Sequence, residues 1–391
     1  MTAKSFAFRL SLTYALLMIG SGVQLPFLPL WLQARGFDTA GIAAVVAGMM
    51  AARLIGAPLF AWIADHFGNR RLVIQLCSGL AFASYTTLAL SHGFSPIMTI
   101  ALIAAFAFAP VFPLTEGFSI DGATAHGIDY GRVRRWASLS FLIGSLSSGL
   151  MLTKLAPEDT AWILAACQGL SFAATFLLPH EPEHKRAVSR SHADLRARDL
   201  FFGSSFPLLM LATGLGQASH AMLYSFSSVY WQSLGFSSVD IGVLWCAAVL
   251  AEVALLSYSN FVVEKLGPGW LVLLGMGGGF VRWIMMGLVT SFPMIFIAQL
   301  LHALSFAATH LGTMHVIRLM APPQLRNRAQ GINAALSGGI LMSCNTVFAG
   351  YLYARIGVHT YFAMAGMSAL AIALAALVLR VSPRARRVAA A

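Results

Sequence analysis

The stretch GMMAARLIGAPLFAWIADHFGNRRL, residues 48–72, decides the fold. Arg53 is the only charged residue between Ala40 and Ala64, and the apolar run stops abruptly at Asp65-His66-Phe67-Gly68-Asn69-Arg70-Arg71. A helix needs about 20 consecutive apolar residues to cross the hydrocarbon core of a bilayer. The run is long enough, and its polar close is what such a helix meets at the membrane surface. Two questions follow: what keeps a guanidinium in so apolar a stretch, and what the polar close does.

The pattern recurs along the whole chain. Twelve apolar runs cover roughly 10–34, 40–64, 71–91, 96–121, 136–154, 159–179, 205–233, 239–263, 269–290, 293–317, 329–354 and 359–380. Of 391 residues, 58% are hydrophobic and only 10% are charged, against about 25% charged in a typical soluble domain. Such a chain cannot cover its surface for water, so a lipid bilayer is its expected solvent. The first run exceeds the short apolar core of a signal peptide and continues through Gln24, Pro26 and Pro29 without a small-residue cleavage site, so it reads as a retained helix. The loops are too short for a soluble catalytic domain. The four cysteines (Cys77, Cys167, Cys246, Cys344) all lie inside apolar runs and read as packing residues.

The formal charge of +11 reports orientation. Placing both termini on one side puts 20 of the 25 Lys and Arg in loops of that side, three (Arg35, Lys154, Arg355) opposite, and two (Arg53, Arg282) within the membrane. By the positive-inside rule both termini are cytoplasmic, in a multi-pass inner-membrane protein. The basic balance therefore does not call for nucleic acid.

The polar stretch HEPEHKRAVSRSHADLRARD, 180–199, divides the runs six and six. Sliding the first half onto the second by 199 residues aligns Gln33, Gly36 and Phe37 with Gln232, Gly235 and Phe236. It also aligns Ile42 with Ile241, Gly68 with Gly267, Leu72-Val73 with Leu271-Val272, Asp65 with Glu264, and Arg53 with Glu252. Six helices per half make the repeat parallel, an arrangement of transporters whose substrate site lies between the halves. The expected organisation is a bundle at 1–179, a cytoplasmic linker at 180–204, and a second bundle at 205–391 with a basic tail. The fold class is all-α, twelve transmembrane helices in two pseudo-symmetric halves.

FAWIADHFGNRR (60–71) resembles the loop between the second and third helices of the major facilitator superfamily, usually Gly-x-x-x-Asp-Arg-x-Gly-x-Arg-Arg/Lys. Asp65, Gly68, Arg70 and Arg71 match, whereas Ala61 replaces the first Gly and His66 the first Arg. DYGRVRRWASLSF (129–141), LGFSSVDIGVLWCAAVLAEV (234–253), VRW (281–283) and AQLLHALSFAATHLG (298–312) resemble the phenylpropionate-transporter-like branch, which also holds nucleoside–proton symporter relatives. Ala137 stands where that branch usually has Gly. The resemblance implies a secondary active transporter working by alternating access, with proton-coupled import of a small organic acid, an aromatic one included. Nucleoside or sugar symport and drug efflux are the alternatives on the same fold. The expected partners are a small-molecule substrate, protons and lipid, with the chain a monomer. No P-loop, H-E-x-x-H or G-x-S-x-G is present, so neither ATP-driven pumping nor enzymatic chemistry is expected, and no cofactor or metal.

Asp65, Gly68, Arg70 and Arg71 read as a conformational latch: Gly68 permits the tight reversal, and the charges tie two helix ends by about 0–1 kcal/mol. Topological charge alone is the competing account. A charge in mid-membrane costs about 2.5–3.5 kcal/mol, so it faces a partner or water. Arg53 and Glu252 each stand 12 residues before Asp65 and Glu264, which puts them roughly 18 Å deep. They either pair statically, or Glu252 carries the coupled proton, its occupancy set by desolvation and by the nearness of Arg53. Arg53 is expected to bind an anionic substrate group. Arg282 either holds a substrate carboxylate with its planar fork or pairs with an acid of another helix. Glu116, beyond Pro110 and Pro113, matches an acidic position of the family and ranks second for proton handling; Asp121 reads as surface solvation. On an ideal helix wheel Gln299, His302, Ser305, Thr309, His310 and Thr313 share one face, so His302 and Gln299 are substrate-site candidates, with His220 and Gln24 alongside. A buried histidine satisfied by hydrogen bonds is the alternative for both His302 and His220. Ser140, Gly144 and Ser148, like Gly275 and Gly279, read as close-packing stripes.

Overall fold

The computed structural model describes residues 2–178, 205–322 and 325–381. Every one of the twelve apolar runs is helical among the described residues. The helices, in order, are Ala3–Ala34, Thr39–Phe67, Arg70–Leu90, a fourth formed by Phe94–Phe108 and Val111–His126, Tyr130–Met151, and Thr160–Thr175. The seventh is Phe206–Ala218 with Ala221–Ser233, the eighth Ser238–Ser257 with a short Ser259–Leu266, and the ninth Pro268–Leu288. The tenth comprises Phe292–Leu300, a π segment Ala303–Ala308 and Thr309–Met320. The eleventh comprises Arg326–Ala334, a π segment Ala335–Leu341 and Met342–Ile356, and the twelfth is Thr360–Val381. Eight spans are individually long and apolar enough to cross a membrane. One of these, Arg328–Arg380, has 53 residues, about 80 Å of helix at 1.5 Å per residue, and so holds two crossings. It turns at Gly357, whose φ is +55°.

Helix ends follow local chemistry. Thr2, Asp38, Asn69 and Asp129 cap their helices by accepting from the backbone N–H of Ser5, Gly41, Leu72 and Gly131. Gly68 ends the second helix in the left-handed region, at φ +66°, as the latch reading requires. The internal repeat reproduces one cap in detail. The N–H groups of Gly36 and Phe37 donate to Gln33 and Leu32, at 2.9 and 3.1 Å, and those of Gly235 and Phe236 donate to Gln232 and Trp231 at the same distances. The two glycines have φ +81° and +86°. The fourth helix breaks at Ala109–Pro110, where proline lacks the N–H that would continue the ladder.

The chain packs as two compact units, Met1–Arg186 with Ser225–Cys246, and Ala187–Tyr224 with Ala247–Ala391. The linker expected at 180–204 lies outside the described residues. In the first unit, Leu10, Tyr14 and Leu17 of the first helix bury against Ile74, Cys77 and Ala81 of the third and Val133 and Ala137 of the fifth. The first and fifth helices approach reciprocally: a Cβ on Gly144 would overlap the Ile19 carbonyl, and one on Gly22 the Phe141 carbonyl. Ser148 of the same stripe turns inward to the Gly144 carbonyl, 2.6 Å away. Gly144→Leu should therefore destabilise the fold by at least the ~1–3 kcal/mol typical of overpacking, because the obstacle is backbone. The readout is the monodisperse yield of a fluorescent fusion; wild-type yield would refute the close approach.

In the second unit, Phe206, Leu209 and Met210 pack on Val272, Met276, Val316, Ile317, Ala371 and Ala375. Gly275 and Gly278 admit the π segment of the tenth helix at Thr309 and Leu304. Gly279, expected to share this role, meets only ordinary contacts. Cys77, Cys167 and Cys246 are buried, but Cys344 is exposed, so the packing reading fails for that cysteine.

Candidate functional site

The second unit gathers its polar residues where regular helix fails. The seventh helix breaks at Ser219–His220, and its freed carbonyls find side-chain donors. Asn345 Nδ2 donates to the Ala218 carbonyl, Ser219 Oγ to Gly216 at 2.7 Å, and His220 Nδ1 to Gln217 at 3.0 Å. Trp283 Nε1 donates to Ser219 Oγ at 2.9 Å. The π segment of the tenth helix begins one residue after His302. A π turn inserts an extra residue and rotates everything beyond it, a device common at functional sites. Gln299, His302, Ser305, Thr309 and Thr313 of the stripe are buried, and His310 is exposed but keeps to the His302 side, where Phe306 stacks on both rings.

Arg282 is the centre of this cluster and is 0% exposed. Its Nη2 donates to Gln299 Oε1, its Nη1 reaches His302 Nδ1 at 2.8 Å and Ser305 Oγ at 3.0 Å, and its guanidinium lies 4.8 Å from the Trp283 ring centre. The direct partners are all neutral. The guanidinium reaches an acid through His302. The His302 Nε2 lies 3.6 Å from Glu252 Oε2.

Arginine only donates, so His302 Nδ1 must accept and its single proton sits on Nε2, facing Glu252. The same logic fixes His220. Its Nδ1 donates to the Gln217 carbonyl, so its Nε2 accepts from Ser305 Oγ, 3.1 Å away, while Ser305 accepts from Arg282. Both imidazoles are thereby held neutral by assignment of the network. Glu252 closes the chain with a side chain 23% exposed, against 7% for His302. Sequence reading named Arg282, Glu252, His302, His220 and Gln299 as site candidates and put Ser305 on the same helix face; it missed Ser219 and Asn345, which join the cluster only through the break in the seventh helix.

In the first unit Arg53 is exposed on the second helix, and no hydrogen bond or ion pair holds it among the described residues. Its charge acts on Tyr85, a fully buried tyrosine that the sequence reading passed over. Tyr85 donates to Gln24 Oε1 at 2.7 Å. Glu116 lies against cationic and phenolic partners: Tyr130 donates to its Oε1 at 2.6 Å, and Arg134 Nε stands 3.4 Å away. Arg134 also lies 4.9 Å from the Phe112 ring centre. These contacts tie the fourth helix to the fifth through Glu116. Asp65 lies exposed in the last turn of the second helix. Arg71 donates to the Phe176 carbonyl at 3.3 Å. Arg70 pairs with Asp121 at 2.7 Å, so Asp121, read from sequence as surface solvation, is a partner of the basic pair.

Membrane-spanning helices, halves repeated in sequence and titratable groups inside the membrane define a multi-pass transporter of the major facilitator fold. The chain belongs to the MFS_1 like family, which it matches over residues 7–364. It is 29% identical over 379 residues to the probable 3-phenylpropionic acid transporter of Escherichia coli (strain K12), covering 95% of this chain and 96% of that one. It is 24% identical over 239 residues to the quinolone resistance protein NorA of Staphylococcus aureus (strain MRSA252), covering 58% and 59%. Among solved structures, the nucleoside transporter NupG superposes with a TM-score of 0.84 at 17% identity, covering 96% of this chain and 98% of that chain. The D-xylose-proton symporter gives 0.72 at 15%, covering 97% and 98%. The chain thus moves a solute across a membrane by alternating access.

Proposed function

We propose that the protein imports a small organic anion, aromatic carboxylic acids included, together with protons. The Arg282–His302–Glu252 chain carries this reading. With Glu252 ionised, a buried positive charge and a negative charge balance across a neutral imidazole. Protonating Glu252 leaves the Arg282 charge uncompensated in a site of low dielectric, where an unbalanced charge acts strongly on an incoming anion. Proton loading then favours carboxylate entry, and release of one weakens the hold on the other, which is reciprocal coupling. Within the first unit, Arg53 and Gln24 are the proposed donors to an anionic substrate group. No bond is made or broken in the cycle.

The bundles at 1–179 and 205–391, joined through 180–204, are the proposed moving bodies of a monomer whose termini face the cytoplasm. Asp65, Gly68, Arg70 and Arg71 form the proposed latch, with Asp121 as a further partner of Arg70. Single cysteines at 38 and 357 should react with an impermeant thiol reagent from outside intact cells, and one at 190 should not; reaction at 190 would reverse the orientation.

The test of function is uptake into proteoliposomes of a panel of aromatic acids, nucleosides and sugars, with and without an inward pH gradient. Accumulation of an acid only with the gradient is expected. Gradient-driven uptake of a nucleoside or sugar alone would replace the substrate class. Uptake of an acid that ignores the gradient would refute coupling.

A further inference from the structure

The Tyr85 phenol of the third helix bonds Gln24 of the first and feels the charge of Arg53 on the second. Tyr85 has no exposed surface, its hydroxyl donates to Gln24 Oε1 at 2.7 Å, and the Arg53 charge acts on it. A nearby cation favours the phenol dipole with its oxygen toward the guanidinium and its proton away. The proton then points to Gln24, so Tyr85 donates and the Gln24 amide must offer its oxygen to it. The Gln24 Nε2, at the opposite corner of the amide, has no hydrogen-bond partner within the described residues, and Gln24 is only half-buried. Arg53 is exposed. An exposed arginine and an available amide N–H₂ make a set that contains donors only.

We infer that Tyr85 is a positioning residue for substrate selection: by holding the oxygen of Gln24 it turns the amide nitrogen outward, so that Gln24 and Arg53 together accept a carboxylate and reject its carboxamide. A carboxylate brings only acceptors to this set. A carboxamide brings its own N–H₂, which meets donors and is left unpaired. The inference rests on the organic-anion reading and deepens it. Without the Tyr85 hydroxyl the Gln24 amide is free to flip, and the Arg53 charge draws its oxygen outward, which leaves the donor-out orientation at about a tenth.

The experiment is titration of the purified full-length protein in lipid nanodiscs with 3-phenylpropionate and benzoate, and with 3-phenylpropionamide and benzamide. The wild type should prefer the acids. Tyr85→Phe should weaken acid binding about tenfold, as expected for loss of one hydrogen bond to a charged group, and leave amide binding within about twofold. Tyr85→Phe added to Gln24→Ala should change nothing further, because both act through one amide. Equal losses for acid and amide, or losses that add in the double variant, would show a merely structural phenol and overturn the inference. If Tyr85→Phe does not fold, Gln24→Met carries the same test, since it keeps volume and removes the donor; an unchanged acid-to-amide ratio overturns the inference. Wild-type protein that binds neither panel, or both equally, overturns the anion reading and this inference with it.

Discussion

Glu252→Gln should abolish accumulation driven by a pH gradient while sparing substrate counterflow. Exchange of labelled for unlabelled substrate needs the carrier to reorient loaded in both directions and never requires net proton release. Concentrative uptake does require it. Glutamine is nearly the shape of a protonated glutamate, so the variant resembles the loaded state permanently and the Arg282 charge stays uncompensated. Substrate affinity at high pH should therefore rise toward the value the wild type shows at low pH. His302 supplies the internal control. Its Nδ1 accepts from Arg282 at 2.8 Å, so His302→Asn, which retains an acceptor, should preserve more transport than His302→Leu, which leaves a buried guanidinium short of one partner. A Glu252→Gln protein that still concentrates substrate against its gradient would remove Glu252 from the coupling step and return His302 to a structural role.

Arg53→Ala should weaken the apparent affinity for an acidic substrate about 10- to 100-fold, the range for losing a hydrogen-bonded charge partner. Folding should be unaffected, because Arg53 is exposed and holds no ion pair or hydrogen bond among the described residues. An arginine at this depth is expected to be balanced by water or by substrate. Arg53→Lys retains the charge but loses the planar fork, so it should fall between wild type and alanine. Uptake kinetics with a radiolabelled acid, alongside melting temperature, separate the two effects. Unchanged apparent affinity in Arg53→Ala would make the arginine a structural residue, and a large fall in melting temperature would show a partner.

How much of this was legible in the sequence varies with the range of the interaction involved. Apolar runs, the 199-residue repeat and the loop at 65–71 are local or compositional, and each has its counterpart in the helices or the family match. The cap shared by Gly36 and Gly235 was legible because a left-handed residue after a helix is written in the residue type. Depth was legible too, since a regular rise per residue puts Arg53, Glu252 and Arg282 within the membrane. The π segments at Ala303–Ala308 and Ala335–Leu341 were not, since no proline announces them. The break at Ser219–His220 is likewise silent in sequence, because it is stabilised by Asn345, Trp283 and Ser368 from three other helices.

The residue types on their own thus determined a polytopic helical membrane protein, its family, and which side chains are too costly to bury without a purpose. The tertiary structure decided what each of those side chains does. It gave Arg282 the partners Gln299, His302 and Ser305, fixed the His302 proton toward Glu252, tied Glu116 to Arg134 and Tyr130, matched Arg70 with Asp121, and brought Tyr85 to Gln24. The reason is physical: insertion cost depends on a residue's own charge and depth, which composition records. A hydrogen bond depends on ångström-scale contact between residues tens of positions apart, such as Gln24 and Tyr85, and only packing brings those together.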